Sequence, residues 1–317
     1  MEHLIIGWRC IFFYGFLLLS ALARAEYPQT VTLKHDGLAR TYQLYVPEKQ
    51  PEAPALIVAM HGYGSSAENL MAYSGLNDLA DAHGFIVAYP QGSLDKDQKA
   101  YFNVGYEFHA QSTVDDTDFI RHVVDDLRAR YSIRPEEIFA TGMSNGGDMS
   151  YLLACQAADV FRAVAPVAGT MMTSTFNKCQ PKKQVSVFAI SGTADNITWY
   201  EGDQENTGGW GPYLSVETVI NGWVQRLGKT KTTSHRKTFE EDDPIAVFSY
   251  TTELGSEQVL LYRVEGGGHD WPGARFQWWD LTRFVARQTM GFGEHQDLDA
   301  STEIVEFFNR FRTSRAG

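Results

Sequence analysis

The sequence predicts an α/β fold, a mostly parallel central sheet with helices on both faces. Three observations carry this. Continuous apolar runs such as Ala55–Met60 and Phe85–Tyr89 recur along the chain and suit strands covered on both faces. Longer segments with helical apolar spacing separate them. Polar, often glycine-rich stretches follow the strands, where open α/β sheets place their ligands. Strands alternating with helices through right-handed crossovers give this architecture. No repeat or low-complexity linker divides residues 26–317, so one domain is expected there.

The N-terminus reads as an export signal over residues 1–25. Arg9 precedes the apolar run Ile11 to Ala23, and Ala23-Arg24-Ala25 ends it in a small-x-small cleavage pattern. The run is short for a membrane span, with Leu4-Ile5-Ile6 leaving an uncleaved anchor open. A secreted or periplasmic chain starting near Glu26 is expected, with no stable membrane insertion. Removing Arg9, Arg24 and Glu2 moves the net charge from −12 to −13, which argues against a nucleic-acid or anionic-membrane partner. Cys10 leaves with the signal. Cys155 and Cys179 remain, and in an oxidising compartment they predict one disulfide, two buried thiols being the alternative.

Thr30–Lys34 and Thr41–Val46 alternate around Asp36-Gly37 and predict an edge hairpin. Ala55–Met60 is a buried central strand, followed by a helix over 67–82 and the strand Phe85–Tyr89. Gln91 to Gln111 is irregular and aromatic-rich. Asp115 caps a helix over 116–131, whose Phe119, Ile120, Val123, Val124 and Leu127 form one stripe. Glu137–Ala140 is a strand and Asp148–Ala154 a helix. Strands follow over 161–169 and 185–190, a helix over 216–227, strands over 247–251 and 259–264, and a closing helix over 302–311. Trp199–Pro212 and Trp271–Gly293 are large loop excursions.

The chemistry centres on Thr141-Gly142-Met143-Ser144-Asn145-Gly146-Gly147. Gly142-x-Ser144-x-Gly146 between a strand and a helix has the spacing of a nucleophile elbow. A serine hydroxyl is a weak nucleophile that must be aimed at a base. The tight turn that aims it needs residues without Cβ where backbones crowd. Ser191-Gly192-Thr193-Ala194-Asp195 and Glu265-Gly266-Gly267-Gly268-His269 follow two later strands. The order Ser144, Asp195, His269, each past a strand's carboxyl end, is that of a hydrolase triad. His269 would take the Ser144 proton and Asp195 would orient the imidazole. Glu201, Asp203, Glu205 and Asp270 are rivals for the acid, and His61, His83 and His109 for the base.

An oxyanion needs two N–H donors. Asn145, after the nucleophile, supplies one. The other comes from His61-Gly62-Tyr63-Gly64, with Tyr63 favoured over Gly64. Trp271, two residues past His269, is a candidate substrate contact among the loop tryptophans 199, 210, 278 and 279. No zinc-spaced His or Cys set and no phosphate loop stands in the sequence, so no metal or cofactor is expected.

These blocks, with Val114-Asp115-Asp116 and Val164-Ala165-Pro166-Val167-Ala168-Gly169, resemble the secreted polyhydroxybutyrate depolymerase and feruloyl esterase family. The resemblance runs roughly from Val31 to Phe308. It implies an α/β-hydrolase fold, no cofactor and ester hydrolysis through an acyl-enzyme, with Ser144, Asp195 and His269 as nucleophile, acid and base. Many relatives carry an extra cysteine pair near Asn103-Val104-Gly105 and Leu227-Gly228-Lys229, absent here, and Arg275 to Gly293 is longer than usual. The expected activity is a secreted serine esterase acting on feruloyl or acetyl esters of plant polysaccharide. Its alternatives are a polyhydroxyalkanoate depolymerase, a serine peptidase of the same fold, and a hydrolase-fold binding protein without catalysis.

Overall fold

The computed structural model describes residues 28–228, 230–238, 244–252, 258–275 and 298–312. The expected export signal and, past Arg275, most of the second loop excursion, with Trp278 and Trp279, lie outside the described residues. Twelve strands are described. These are β1 (Gln29–His35), β2 (Leu38–Tyr45), β3 (Ala55–Met60), β4 (Phe85–Pro90), β5 (Ser93–Leu94), β6 (Ala100–Tyr101), β7 (Ile138–Met143), β8 (Ala163–Val167), β9 (Ser186–Gly192), β10 (Thr230–Thr238), β11 (Pro244–Thr252) and β12 (Gln258–Val264). Ten of them form one sheet in the order β1-β2-β4-β3-β7-β8-β9-β12-β11-β10. Its centre, β4 to β12, is parallel. The flanks β1-β2 and β11-β10 are antiparallel.

The alternation of strand side chains explains why the centre is apolar throughout. Leu56, Val58 and Met60 of β3 join one core, while Ala55, Ile57 and Ala59 join a second. The first core is closed by α3 (Asp116–Arg130), α4 (Asn145–Gln156) and α6 (Val216–Leu227), through Ile120, Leu153 and Trp223. The second is closed by α1 (Ala67–Ser74), α2 (Leu76–His83) and α7 (Ala300–Asn309), through Leu70, Ala80 and Phe308. Each large apolar side chain withdrawn from water this way contributes roughly 1.5–3 kcal/mol. Both faces are therefore covered, as the unbroken apolar runs require.

Several boundaries differ from expectation for local reasons. The helix expected over 67–82 is two helices, because Gly75 adopts φ 71° and serves as C-cap of one and N-cap of the next. The strand before the elbow extends to Met143, and α4 begins directly at Asn145. Thr230–Thr238 is a strand that its nearly all-polar sequence hid; it pairs along its length with β11. Short elements absent from the sequence reading are β5 and β6, a 3-10 turn at Glu107–His109 and α5 (Thr173–Lys178). Pro166 sits in central β8, where the register with β9 pairs Ala163, Val164 and Val167 and passes over Ala165 and Pro166, as a residue with no N–H to give requires.

Cys155 of α4 and Cys179 after α5 form the predicted disulfide, with Cα atoms 5.2 Å apart. Near Asn103, where the resemblance implies a cysteine that this chain lacks, polar bonds hold the chain. The Asn103 N–H donates to Asp116 (2.7 Å) and its side-chain amide to the Val114 carbonyl (2.9 Å). Asp116 is in turn paired with the buried Arg40 at 2.6 Å.

Candidate active site

The elbow is built from β7, the turn and α4. Ser144 has φ 55° and ψ −119°, a sparsely populated conformation for a residue with a Cβ, costing of order 1–3 kcal/mol. The surroundings enforce it. The Ser144 N–H donates to the Val167 carbonyl (2.9 Å), and the Ser144 carbonyl accepts the Asp148 N–H (2.9 Å) as the helix starts. A Cβ on Gly142 would strike the Gly146 carbonyl and lie 2.7 Å from Met60 O. One on Gly146 would strike Met60 O and lie 2.8 Å from His61 O. The two glycines are thus required by backbone crowding, as the spacing predicts.

The acid and base come from the loops after β9 and β12, two adjacent parallel strands, which end at the same edge of the sheet as β7. His269 Nδ1 lies 2.8 Å from Asp195 Oδ2, with both side chains buried. A carboxylate only accepts, so Nδ1 carries the proton and Nε2 presents its lone pair. Asp195 Oδ1 accepts the Ile197 and Thr198 N–H groups, both at 2.8 Å, which fixes the carboxylate plane. Asp270 is buried next along the chain, but Asp195 occupies the Nδ1 position.

The rivals are employed elsewhere. Asp203 accepts the Thr207 (2.9 Å) and Gly208 (2.7 Å) N–H groups and pairs through its backbone with Tyr213. Glu201 and Glu205 are exposed, as is His83 in the last turn of α2. His109 bonds Asp95 (3.3 Å). His61 is fully buried, and burial lowers its pKa to about 4 against a lesser rise from its bond to the Gly62 carbonyl. It is neutral, with Nδ1 donating to that carbonyl (2.8 Å) and Nε2 accepting the Gly92 N–H (3.0 Å).

His61 thereby pins the loop that faces Ser144: a Cβ on Gly62 would lie 3.4 Å from Ser144 Cβ. Gly64, the rival oxyanion donor, spends its N–H on the Ala100 carbonyl (2.8 Å). Among the described residues no protein acceptor is found for the Tyr63 or Asn145 N–H. Tyr63 is further held by its hydroxyl, which donates to Asp95 (2.6 Å). The Asp95 carboxyl is lowered to about 2: burial opposes, but bonds from Tyr63, Lys99, His109 and Asp97 outweigh it.

Two features of the site have no counterpart in the sequence reading. The Asn145 side chain, fully buried, pairs with both backbone groups of Phe102, accepting its N–H at 2.7 Å and donating to its carbonyl at 2.9 Å. This ties the aromatic stretch to the elbow. Beside Ser144 lies a small cleft of about 20 Å³ that opens to solvent, lined by residues including Tyr106, Asp148, Met172, Ile197, Trp210 and Tyr213. Trp271 is not among them. It is 0% exposed, packed edge-on to Tyr73 with its indole N–H on Ser301 (3.1 Å). The expectation that Trp271 contacts substrate is therefore corrected: a tryptophan two residues past His269 packs between Tyr73 of α1 and Ser301 of α7. Trp210, from the preceding excursion, lines the pocket instead. His35, Asp118 and His122 are the one group among the described residues whose side chains could jointly hold a cation; they sit at the hairpin edge of the sheet, where His35 Nε2 and Asp118 Oδ2 are hydrogen-bonded at 2.9 Å.

Comparisons with known proteins bear on the family and the fold. The Esterase PHB depolymerase family model matches residues 40–185. A putative esterase, NocK, from Nocardia uniformis subsp. tsuyamanensis is 30% identical over 263 residues, covering 76% of this chain and 73% of its own. Poly(3-hydroxyalkanoate) depolymerase C from Paucimonas lemoignei is 28% identical over 241 residues, covering 72% of this chain and 58% of its own. Feruloyl esterase B from Piromyces equi is 27% identical over 222 residues, covering 69% and 40%. The chain thus spans less than two thirds of these last two. Among solved structures, an acetyl xylan esterase from Aspergillus awamori shares the fold, with a TM-score of 0.56 at 17% identity over 76% of this chain and 93% of that one. Ordered sequence blocks, sheet topology and relatives converge: the chain belongs to the esterase PHB depolymerase family, carboxylic ester hydrolases of the α/β-hydrolase fold.

Proposed function

We propose that this chain is an exported serine esterase in which Ser144 is the nucleophile, His269 the general base and Asp195 the orienting acid. The observation that carries the reading is the 2.8 Å His269–Asp195 bond beside a serine held in a strained elbow. His269 Nε2 accepts the Ser144 hydroxyl proton as Oγ attacks the ester carbonyl, then returns it to the leaving alcohol. A water activated by the same imidazole releases the acid from the acyl-enzyme. The Tyr63 and Asn145 N–H groups receive the oxyanion, one such donor being worth about 2.7–4 kcal/mol.

The substrate class is an ester of plant polysaccharide, feruloyl or acetyl. The support is an aromatic cluster at the pocket: the Trp210 ring lies 5.7 Å from Tyr63 and 5.5 Å from Phe108, and Phe108 is 43% exposed. Such a surface suits a sugar or aromatic ring. A hydroxyalkanoate oligomer is the second reading, supported by the 28% identity to poly(3-hydroxyalkanoate) depolymerase C. Labelling by a fluorophosphonate, lost in S144A, tests the nucleophile. A folded wild type that neither labels nor hydrolyses p-nitrophenyl acetate would make this a binding protein. Methyl ferulate, acetylated xylan and hydroxybutyrate oligomers then separate the substrate classes.

A further inference from the structure

The elbow carries a carboxyl that the triad does not use. Asp148 lies one turn into α4, 7% exposed, and its backbone N–H bonds the Ser144 carbonyl. Its Oδ1 accepts the Thr170 N–H and its Oδ2 the Tyr106 hydroxyl, both at 2.7 Å. Among the described residues no Lys or Arg pairs with it. Around it stand Tyr106 from the aromatic stretch, Tyr151 from its own helix, Tyr213 from the excursion after β9, and the triad's His269 and Asp195. An unpaired carboxylate is rarely buried. This one also faces the pocket it shares with Ser144, Ile197, Trp210 and Tyr213. Each of its oxygens keeps a second acceptor position once its protein bond is made.

We propose that Asp148 is a specificity-determining residue, a charge filter that admits uncharged acyl groups, hydrogen-bond donors among them, and rejects acyl groups ending in a carboxylate. The proposal rests on the esterase reading above. Its physical basis is like-charge repulsion in a confined space, where water screens poorly. An uncharged hydroxyl-bearing group instead finds an acceptor in place. The filter depends on pH. Burial raises the Asp148 carboxyl to about 7, against the lowering from Thr170, Tyr106 and His269. Above that value the group is charged and the filter closed to anions; below it the acid is neutral and the discrimination fades. The helix N-terminus favours the charged form, and burial outweighs it.

The test is a ratio, which cancels any general loss of activity. Hydrolysis of monomethyl glutarate and of methyl valerate is measured at roughly pH 5.5 and pH 8.5, either side of the value of about 7. Glutarate monoester is anionic at both. In wild type the kcat/KM ratio of glutarate to valerate is expected to fall about tenfold or more between the two. In D148N it is expected to be higher at the upper pH and flat across the range. In Y106F, which removes one hydrogen bond to the carboxylate, the midpoint of the fall is expected to move upward. This variant keeps the test open should D148N not fold. A ratio that D148N leaves unchanged, with hydrolysis of both esters intact, overturns the charge filter alone. Wild type that hydrolyses neither ester overturns the esterase reading and the filter with it.

Discussion

The Asn145 side chain offers a stringent check, because two functions meet in one residue. Its backbone N–H is proposed to bind the oxyanion, while its amide side chain closes two hydrogen bonds to Phe102. In N145A the N–H stays, and the Phe102 N–H and carbonyl lose their partners in a fully buried position. Each orphaned buried group costs about 1–3 kcal/mol, so the loss is roughly 2–6 kcal/mol. At about 2–4 °C per kcal/mol for a domain approaching this size, a midpoint near 4 kcal/mol corresponds to a Tm lower by about 8–16 °C. N145D is the sharper variant. Aspartate keeps an acceptor for the Phe102 N–H but sets a carboxylate oxygen against the Phe102 carbonyl, where two acceptors face each other without a proton. It should destabilise at least as much as alanine, although asparagine and aspartate are nearly the same size. Calorimetry with parallel urea titration reads both. A Tm for N145A within about 2 °C of wild type, together with unchanged kcat/KM, refutes the idea that this amide holds the aromatic stretch against the elbow.

Other expectations are shorter. In D195N the Ile197 and Thr198 N–H groups keep an acceptor, but an amide N–H faces His269 Nδ1 and reverses the tautomer; kcat is expected to fall about 10³–10⁴-fold with little change in Tm, and a loss under tenfold would reject Asp195 as the orienting acid. C155A/C179A opens a link between positions 24 residues apart, worth about 3 kcal/mol in unfolded-chain entropy; two titratable thiols in the unreduced, unfolded wild type would exclude the bridge. His61 binds its proton only near pH 4 when folded but at 6.5 when unfolded. Its contribution is therefore complete above pH 6.5 and is lost as pH falls toward 4. Urea unfolding should show about 2 kcal/mol less stability at pH 5 than at pH 7 from this group, and H61Q should remove that part of the slope.

How much of this was legible in the sequence follows from what each feature depends on. The placement of Ser144, Asp195 and His269 at one edge of the sheet was readable because each follows a strand within five residues, and strand ends can be found from apolar runs. Tyr63 and Asn145 were readable as positions relative to those strands, and the engagement of the Gly64 N–H by Ala100 supports Tyr63 over Gly64 in the proposed oxyanion role. The edge strand Thr230–Thr238 was not readable, since it lacks the apolar alternation that marks a half-buried strand. Trp271 was misplaced because sequence distance from His269 says nothing about side-chain direction once the chain turns at Pro272-Gly273. Asp148 stood in plain view within the elbow motif, yet its meaning depends on Tyr106 and Thr170, which are 42 and 22 residues away.

The long-range contacts that escaped the sequence have a common origin in the stretch from Gln91 to Gln111. Asp95 receives the Tyr63 hydroxyl, His109 and the Lys99 N–H, so it joins the oxyanion loop to the aromatic stretch. Asn145 joins the same stretch to the elbow through Phe102, and Tyr106 joins it to Asp148. Tyr106 also packs edge-on to Trp210 at 5.1 Å, while the Glu107 N–H donates to the Trp210 carbonyl at 2.9 Å. One irregular segment therefore touches the proposed oxyanion donors, the pocket carboxyl and the aromatic wall, though it contributes no member of the triad. Regular strands can aim three side chains at one edge of a sheet, but they cannot by themselves enclose a ligand there. The enclosure falls to a loop whose own conformation is set by buried polar bonds back to the elements it covers. A segment of this kind has no period for a sequence reading to find, and substitutions in it should alter selectivity and stability together while leaving the His269–Asp195 pair in place.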